Sequence, residues 1–494
     1  MGALLTEPLA YAQSAPPGFL AVEKLSAALF GPSEYSLRFF PLLCSVAGLL
    51  LFAKLVQERL PRGFALAALA ICAISGPLIV GAATLKQYSA DTLCTSLLLL
   101  AATRASTRRT VRDSLALGVV VALAVLFSQP AAIVFGAIAC VLVGVEVRRI
   151  RVERAAPDWV LLGALLFAGL VTAGSAAHAL HALTPETNEY LRAFWEQGFL
   201  PTHLPGSLSE AWPYAQLSSF FDGSGLDGAA YPLPGLFAAL TALGLVLLPM
   251  RNGLPGALVA APAAAALLAS AARAYPLGGR AMLYLHPVFL IAIATAVEAL
   301  TSLVGRYRKL AGLASLWVLV GLAVFPVVRR PPPYHREHLR PVAQFVASHR
   351  RPDEPLYVYY GLAPAFSFYG PRFALTGAET VIGTCHRGDP RRYLAEVDRF
   401  RGSRRVWLLL GHSLPRFQER EQILRYLDSI GTRKSSFSEP GYGFRPVLEP
   451  VDAYEYDLSD LRKGGAASAA TFPVVREEQA NAAFPCGSGP QSIR

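Results

Sequence analysis

Long runs of apolar side chains fill the first 330 residues, and no other feature limits the fold of this chain as strongly. A helix rises 1.5 Å per residue, so roughly 20 such residues cross the ~30 Å hydrocarbon core of a bilayer. Ten stretches qualify, near residues 38–53, 63–83, 88–103, 113–128, 130–146, 158–178, 231–250, 255–272, 281–300 and 310–328. The two flanking Pro130 are the tightest pair and also read as one broken helix. Charge follows the same division: residues 331–494 carry 22 Lys/Arg and 18 Asp/Glu, half of the charged side chains in a third of the length. Ions at membrane depth are expensive, so the first part belongs in lipid and the last third in water. With 16% charged residues and a mean hydropathy of +0.40, an ordinary cytosolic enzyme is excluded.

The expected fold class is an α-helical polytopic membrane protein with ten visible spans and a C-terminal extracytoplasmic α/β domain. Orientation comes from the loops. Alternate connections hold 15 Lys/Arg, among them Arg104, Arg108, Arg109 and Arg148. The opposite side holds Lys24, Arg38, Lys86, Arg192, Arg273 and Arg280. The positive-inside bias makes the first set cytoplasmic; the expected localisation is the plasma (inner) membrane, as a multi-pass protein. The net charge of +11 then has a topological explanation, and a nucleic-acid role is rejected. Residues 1–37 read as an outer interfacial segment, 38–330 as the membrane domain, 331–461 as the outer domain and 462–494 as a disordered tail. An outer segment 1–37 without an upstream span predicts that Met1 is an internal start and that the complete chain has eleven spans. The alternative is an N-out protein of ten.

Beyond the prolines at 331–333 the pattern alternates amphipathic helices (336–350, 391–401, 419–431) with short strands (355–360, 404–411, 453–458). Cys44, Cys72, Cys94 and Cys140 fall within spans, whereas Cys385 and Cys486 lie on the oxidising side, where they could pair. No cofactor is indicated and divalent-metal dependence is undecided. His335 and His338 are three apart and His386 follows Cys385, but no third and fourth ligand follows at metal-site spacing, so no metal ligand is assigned.

Polar groups at the outer ends of spans are the functional pointers, because lipid makes them costly. The turn TLKQYSAD places Lys86 and Asp91 at the outer surface, too short to hide them; Lys86, Gln87 and Tyr88 face either water or an anionic lipid headgroup, or serve as snorkelling anchors. RAYPLGGR sets Arg273 and Arg280 beside two glycines that admit close backbone approach, and arginine forks suit phosphate oxygens. The loop 179–230 adds Phe194, Trp195, Trp212, Tyr214 and Phe220 for an interfacial helix or a sugar-stacking surface. Its His178, His181 and His203 read as hydrogen-bonded loop residues rather than a catalytic set. Residues after Pro16–Pro17–Gly18 read as a helix in the interface, or as a connecting loop.

The segment QSAPPGFLAVEKLSAALFGPSEYSLRFFPLL resembles the polytopic GT-C membrane glycosyltransferases. The likeness is to glycosyltransferase family 39, the protein mannosyltransferases and the lipid A aminoarabinose transferase. The motif residues are Gln13, Pro16, Pro17, Phe30, Gly31, Ser33, Glu34 and Arg38; Tyr88 and YPLGGRAMLYLHP match later outer turns. The resemblance implies transfer of a sugar from a polyprenyl-phosphate donor to an acceptor hydroxyl outside the cytoplasm, by a hexosyltransferase-type enzyme. Its implied partners are that donor, membrane lipid and a protein, lipid or glycan acceptor. Lys86, Tyr88, Arg273 and Arg280 are the lipid-phosphate candidates. The family's aspartate base lies before the Pro-Pro element, where residues 1–15 offer only Glu7, and the frequent lysine there is Ala15. The base is therefore expected upstream of Met1, and the chain as it stands is expected to be inactive. The competing readings are a transporter or flippase of lipid-linked saccharide, which would show inverted repeats, and a noncatalytic glycan-binding membrane protein.

Overall fold

The computed structural model describes residues 9, 13–201, 211–223, 231–335, 337–386, 389–413, 418–442 and 450–462. These form two compact units, one built mainly from residues 14–184 and 195–331, the other mainly from 332 onward together with 185–194.

The first unit is helical. Its first described helix, α1 (Pro17–Phe30), starts with proline in its first turn and stops at Gly31, whose φ of 74° suits only glycine. Ser33 opens α2 (Glu34–Gln57): its hydroxyl accepts from Ser36 N at 3.1 Å, and the Ser36 hydroxyl accepts from Ser33 N at 2.9 Å. Next come α3 (Arg62–Ala73) and α4 (Gly76–Ala82), bent by 53° at their junction. They are followed by α5 (Tyr88–Arg108), α6 (Val111–Phe127), α7 (Ala131–Val152) and α8 (Trp159–His181). The chain breaks at Ser128–Pro130, so the stretches flanking Pro130 are two separate helices.

After α9 (Pro185–Phe194), which belongs to the second unit, come α10 (Trp212–Phe221) and α11 (Pro234–Ala271). At 38 residues α11 is too long for one crossing, and Gly253 (φ 57°, ψ −137°) divides it where the sequence separates two apolar runs. The unit ends with α12 (His286–Thr301) and α13 (Arg308–Arg329).

Six helices of the described chain are long and apolar enough to cross a membrane, or seven if the bent α3–α4 pair is one span. Helix α5 fails on composition because Ser89, Asp91, Thr92, Thr95 and Ser96 punctuate it; all five are buried, so its polarity faces protein rather than lipid. Helix α6 has only 17 residues. Outward faces carry Leu50, Val119, Leu166, Leu170, Val246 and Leu268, all exposed. A water-soluble protein rarely shows so much contiguous apolar surface, whereas lipid requires it. The chain is a multi-pass membrane protein.

The second unit holds α14 (Leu339–His349), β1 (Leu356–Val358), α15 (Ala363–Arg372) and β2 (Thr380–Ile382). It continues with α16 (Pro390–Asp398), β3 (Val406–Leu410), α17 (Glu419–Ile430), β4 (Thr432–Glu439) and β5 (Val451–Asp457). The sheet order is β2-β1-β3-β5-β4, parallel on the β2-β1-β3 side and antiparallel around β5. Helices cover both faces: Val397, Ile423 and Leu427 pack with Leu408 and Tyr456 on one, Val342, Val346 and Phe366 with Trp407 and Leu409 on the other. Strand β3 is buried throughout, which is why it reads as a continuous apolar run. Cys385 is disulfide-bonded. Its expected partner Cys486 lies outside the described residues, as do the tail from 463, Glu7 and His203.

Candidate functional site

The geometry centres on the turn between α4 and α5. Lys86 folds back so that its N–H donates to Thr84 O at 2.7 Å, and it stands within electrostatic reach of Arg280 from the far end of the unit. Burial and the neighbouring guanidinium, in that order, push the Lys86 ammonium down to about 8. Tyr88 opens α5 and reaches towards Tyr275, which meets Tyr284 edge-on at 6.1 Å.

Arg280 lies in the 3-10 segment Gly279–Leu285, which is fixed against α5 by the Thr92 hydroxyl donating to Leu283 O at 3.3 Å. Its guanidinium rests over the Trp195 ring at 5.5 Å, a cation–π contact. Trp195 is placed by a tight join between two loops: Leu277 N donates to Gly198 O at 2.6 Å, and the Ser270 hydroxyl donates to the same oxygen at 2.9 Å. A Cβ on Gly278 would come within 2.9 Å of Gln216 Oε1, so the close approach that this glycine permits is to α10.

The four phosphate candidates thus separate. Lys86, Tyr88 and Arg280 gather around one turn, whereas Arg273 pairs with Glu196 and covers the Phe199 ring at 4.9 Å. Of the motif residues, Gln13 is exposed, Pro16 is buried and Pro17 half-buried; Glu34 sits in the first turn of α2 and Arg38 is exposed one turn on. Phe220 departs from the surface role: it is fully buried against Phe221, His286 and Phe289.

The expectation that a short turn leaves Asp91 at the surface is wrong. Asp91 is 4% exposed, because the 3-10 segment packs across the start of α5, and its carboxylate accepts from Ser128. Glu23 on α1 is equally hidden; neither of its oxygens has a hydrogen-bond partner among the described residues, and burial pushes its carboxyl up to about 7. Cys44 of α2 lies within electrostatic reach of both acids. Sequence reasoning missed Glu23. The only signal was an acid inside the amphipathic pattern of α1, which a solvated face explains as well.

Residues 14–173 match the family model described as dolichyl-phosphate-mannose-protein mannosyltransferase. No curated protein matches the chain. Among solved structures, ArnT from Cupriavidus metallidurans is similar in the apo state at 13% identity and a TM-score of 0.47, over 91% of this chain and 88% of that one. ArnT bound to undecaprenyl phosphate gives 14% and 0.46, over 90% and 88%. The oligosaccharyltransferase AglB from Archaeoglobus fulgidus, in complex with an inhibitory peptide and a dolichol-phosphate, gives 12% and 0.45, over 91% and 69%. The family model covers the same N-terminal segment from which the resemblance to the protein mannosyltransferases was read.

Proposed function

We propose that this protein transfers a sugar from a polyprenyl-phosphate donor to an acceptor hydroxyl on the extracytoplasmic face of the membrane, with Lys86 and Arg280 holding the phosphate. The observation that carries this reading is that Arg280, on the 3-10 segment, comes within electrostatic reach of Lys86 in the turn before α5 of an apolar bundle. Two like charges held together fit a shared anion. The match of residues 14–173 to a family named for a dolichyl-phosphate-mannose donor supports the same chemistry.

In the reaction the bond between the sugar's anomeric carbon and the phosphate oxygen breaks as the acceptor oxygen bonds to that carbon. Negative charge then grows on the departing phosphate, where Lys86 and Arg280 stabilise it without reorganising. Tyr88 and Trp195 border the same place with aromatic faces, suited to a prenyl stem or a sugar ring. The resemblance sets the base that takes the acceptor proton ahead of the Pro16–Pro17 element. In this reading the second unit, reached by the last span, lies outside the cytoplasm.

The test is polyprenyl-phosphate binding to the purified chain in nanodiscs. A charge-assisted hydrogen bond contributes about 1.5–3 kcal/mol, so Lys86→Ala and Arg280→Ala should each weaken binding roughly tenfold or more. Arg273→Ala, whose partner is Glu196, should matter less. Unchanged affinity in both Lys86→Ala and Arg280→Ala would overturn the assignment.

A further inference from the structure

The third metal ligand that spacing alone did not supply is brought in by the fold of the second unit. His335 forms an isolated antiparallel bridge with Tyr442: His335 N donates to Tyr442 O at 2.8 Å, and Tyr442 N to His335 O at 2.7 Å. That bridge lays the segment entering the domain alongside the end of β4, whose last residue is Glu439. His338, immediately before α14, faces the same point, with its Nδ1 3.2 Å from Glu439 Oε1. The rings of His335 and His338 are 4.4 Å apart between centroids. One ligand atom from each of the three residues lies within 4.8 Å of the others.

We infer that His335, His338 and Glu439 bind a divalent transition-metal ion, zinc by preference. Two imidazoles and a carboxylate form a donor set that zinc accepts in tetrahedral sites with one position left to water. Calcium and magnesium favour oxygen ligands, so the imidazoles select against them. A tetrahedral zinc with bonds of about 2.0–2.2 Å places its ligand atoms about 3.4 Å apart. The His338–Glu439 pair already has that separation, and His335 closes the remainder by side-chain rotation. With 35% of the His338 side chain and 27% of Glu439 exposed, an ion has a way in. The His338–Glu439 hydrogen bond joins two of these residues, and the Tyr442 bridge brings the third, His335, within reach of both. The ion would tie the segment that enters the domain to the far end of β4.

The experiment uses the full chain in nanodiscs, stripped with a chelator, and titrated with Zn²⁺ against a chromophoric competitor or with Co²⁺ followed by its visible absorption. One equivalent should bind, with cobalt bands of a low-coordinate nitrogen and oxygen site, and excess Mg²⁺ or Ca²⁺ should not displace it. His335→Ala, His338→Ala and Glu439→Gln should each weaken binding by more than the roughly 10–100-fold lost when an outer-shell partner is removed. Zn²⁺ should raise the unfolding temperature of the unsubstituted chain but not of Glu439→Gln, which keeps the shape of the carboxylate. The inference fails if the unsubstituted chain takes up no zinc, or if Glu439→Gln, folded by gel filtration and circular dichroism, binds it as tightly.

Discussion

Lys86 and Arg280 are remote in sequence yet close enough that the guanidinium, after burial, is the next cause of the lowered Lys86 pKa. Holding a phosphate requires the ammonium form, so affinity for a polyprenyl phosphate should fall as pH rises through about 8. On the acid side it should weaken as the phosphate loses its second charge near pH ~6. Lys86→Arg stays charged and should abolish the alkaline limb alone; an identical limb in that variant would remove Lys86 from the site. Stability of the unliganded chain runs the other way. The folded pKa lies below the ordinary 10.5, so the unfolded state binds more protons between about 8 and 10.5 and stability rises with pH across that window.

Glu23 should make its own unit less stable as pH rises. Its folded pKa of about 7 lies above the ordinary 4.5, so between these values the folded state binds more protons and stability falls, levelling off above 7. Glu23→Gln should flatten this dependence and stabilise the protein at pH 8 by about 1–3 kcal/mol. Unfolding of both chains in detergent at pH 5 and pH 8 measures it.

Glu354 anchors the sheet unit. One oxygen accepts from Arg405 Nη1 at 2.6 Å and the other from Trp407 Nε1 at 3.0 Å, while Arg405 Nε also reaches Glu455 at 2.7 Å. Glu354→Ala leaves the buried indole N–H and one face of the guanidinium unanswered. The cost should be about 2–3 kcal/mol, visible as faster limited proteolysis after residue 332. Equal resistance to protease would contradict the role.

Helices α11 and α12 meet at Gly244, where an added Cβ would stand 1.9 Å from Ala292 O. Backbone cannot yield as a flexible side chain does, so Gly244→Ala should cost about 1–3 kcal/mol. Gly321→Ala on α13, where nothing lies within 4 Å, is the control. Comparable melting of the two variants would show that this contact is looser than described.

Legibility in the sequence followed burial. Strand β3 and helices α14, α16 and α17 have one-sided or complete apolar patterns and were readable. Strand β4, TRKSSFSE, is an edge strand with exposed residues at alternate positions and only one large apolar side chain. Helix α15, APAFSFYGPR, hides behind two prolines and a glycine. The apolar runs fell on helices, but the inward polarity of α5 depends on a 3-10 segment nearly two hundred residues later. The same holds for the turn at Lys86: each arginine is visible in the sequence, whereas only the fold brings Arg280 rather than Arg273 near Lys86.

The sheet order has a consequence for synthesis. Strand β5, the last of the described strands to leave the ribosome, inserts between β3 and β4, two strands made before it. Until residue 457 is out, β4 has no neighbour in the sheet and β3 keeps one bare edge. A premature stop before residue 451 therefore shortens the chain by little but leaves the whole layer unable to close, a far heavier loss than its length suggests.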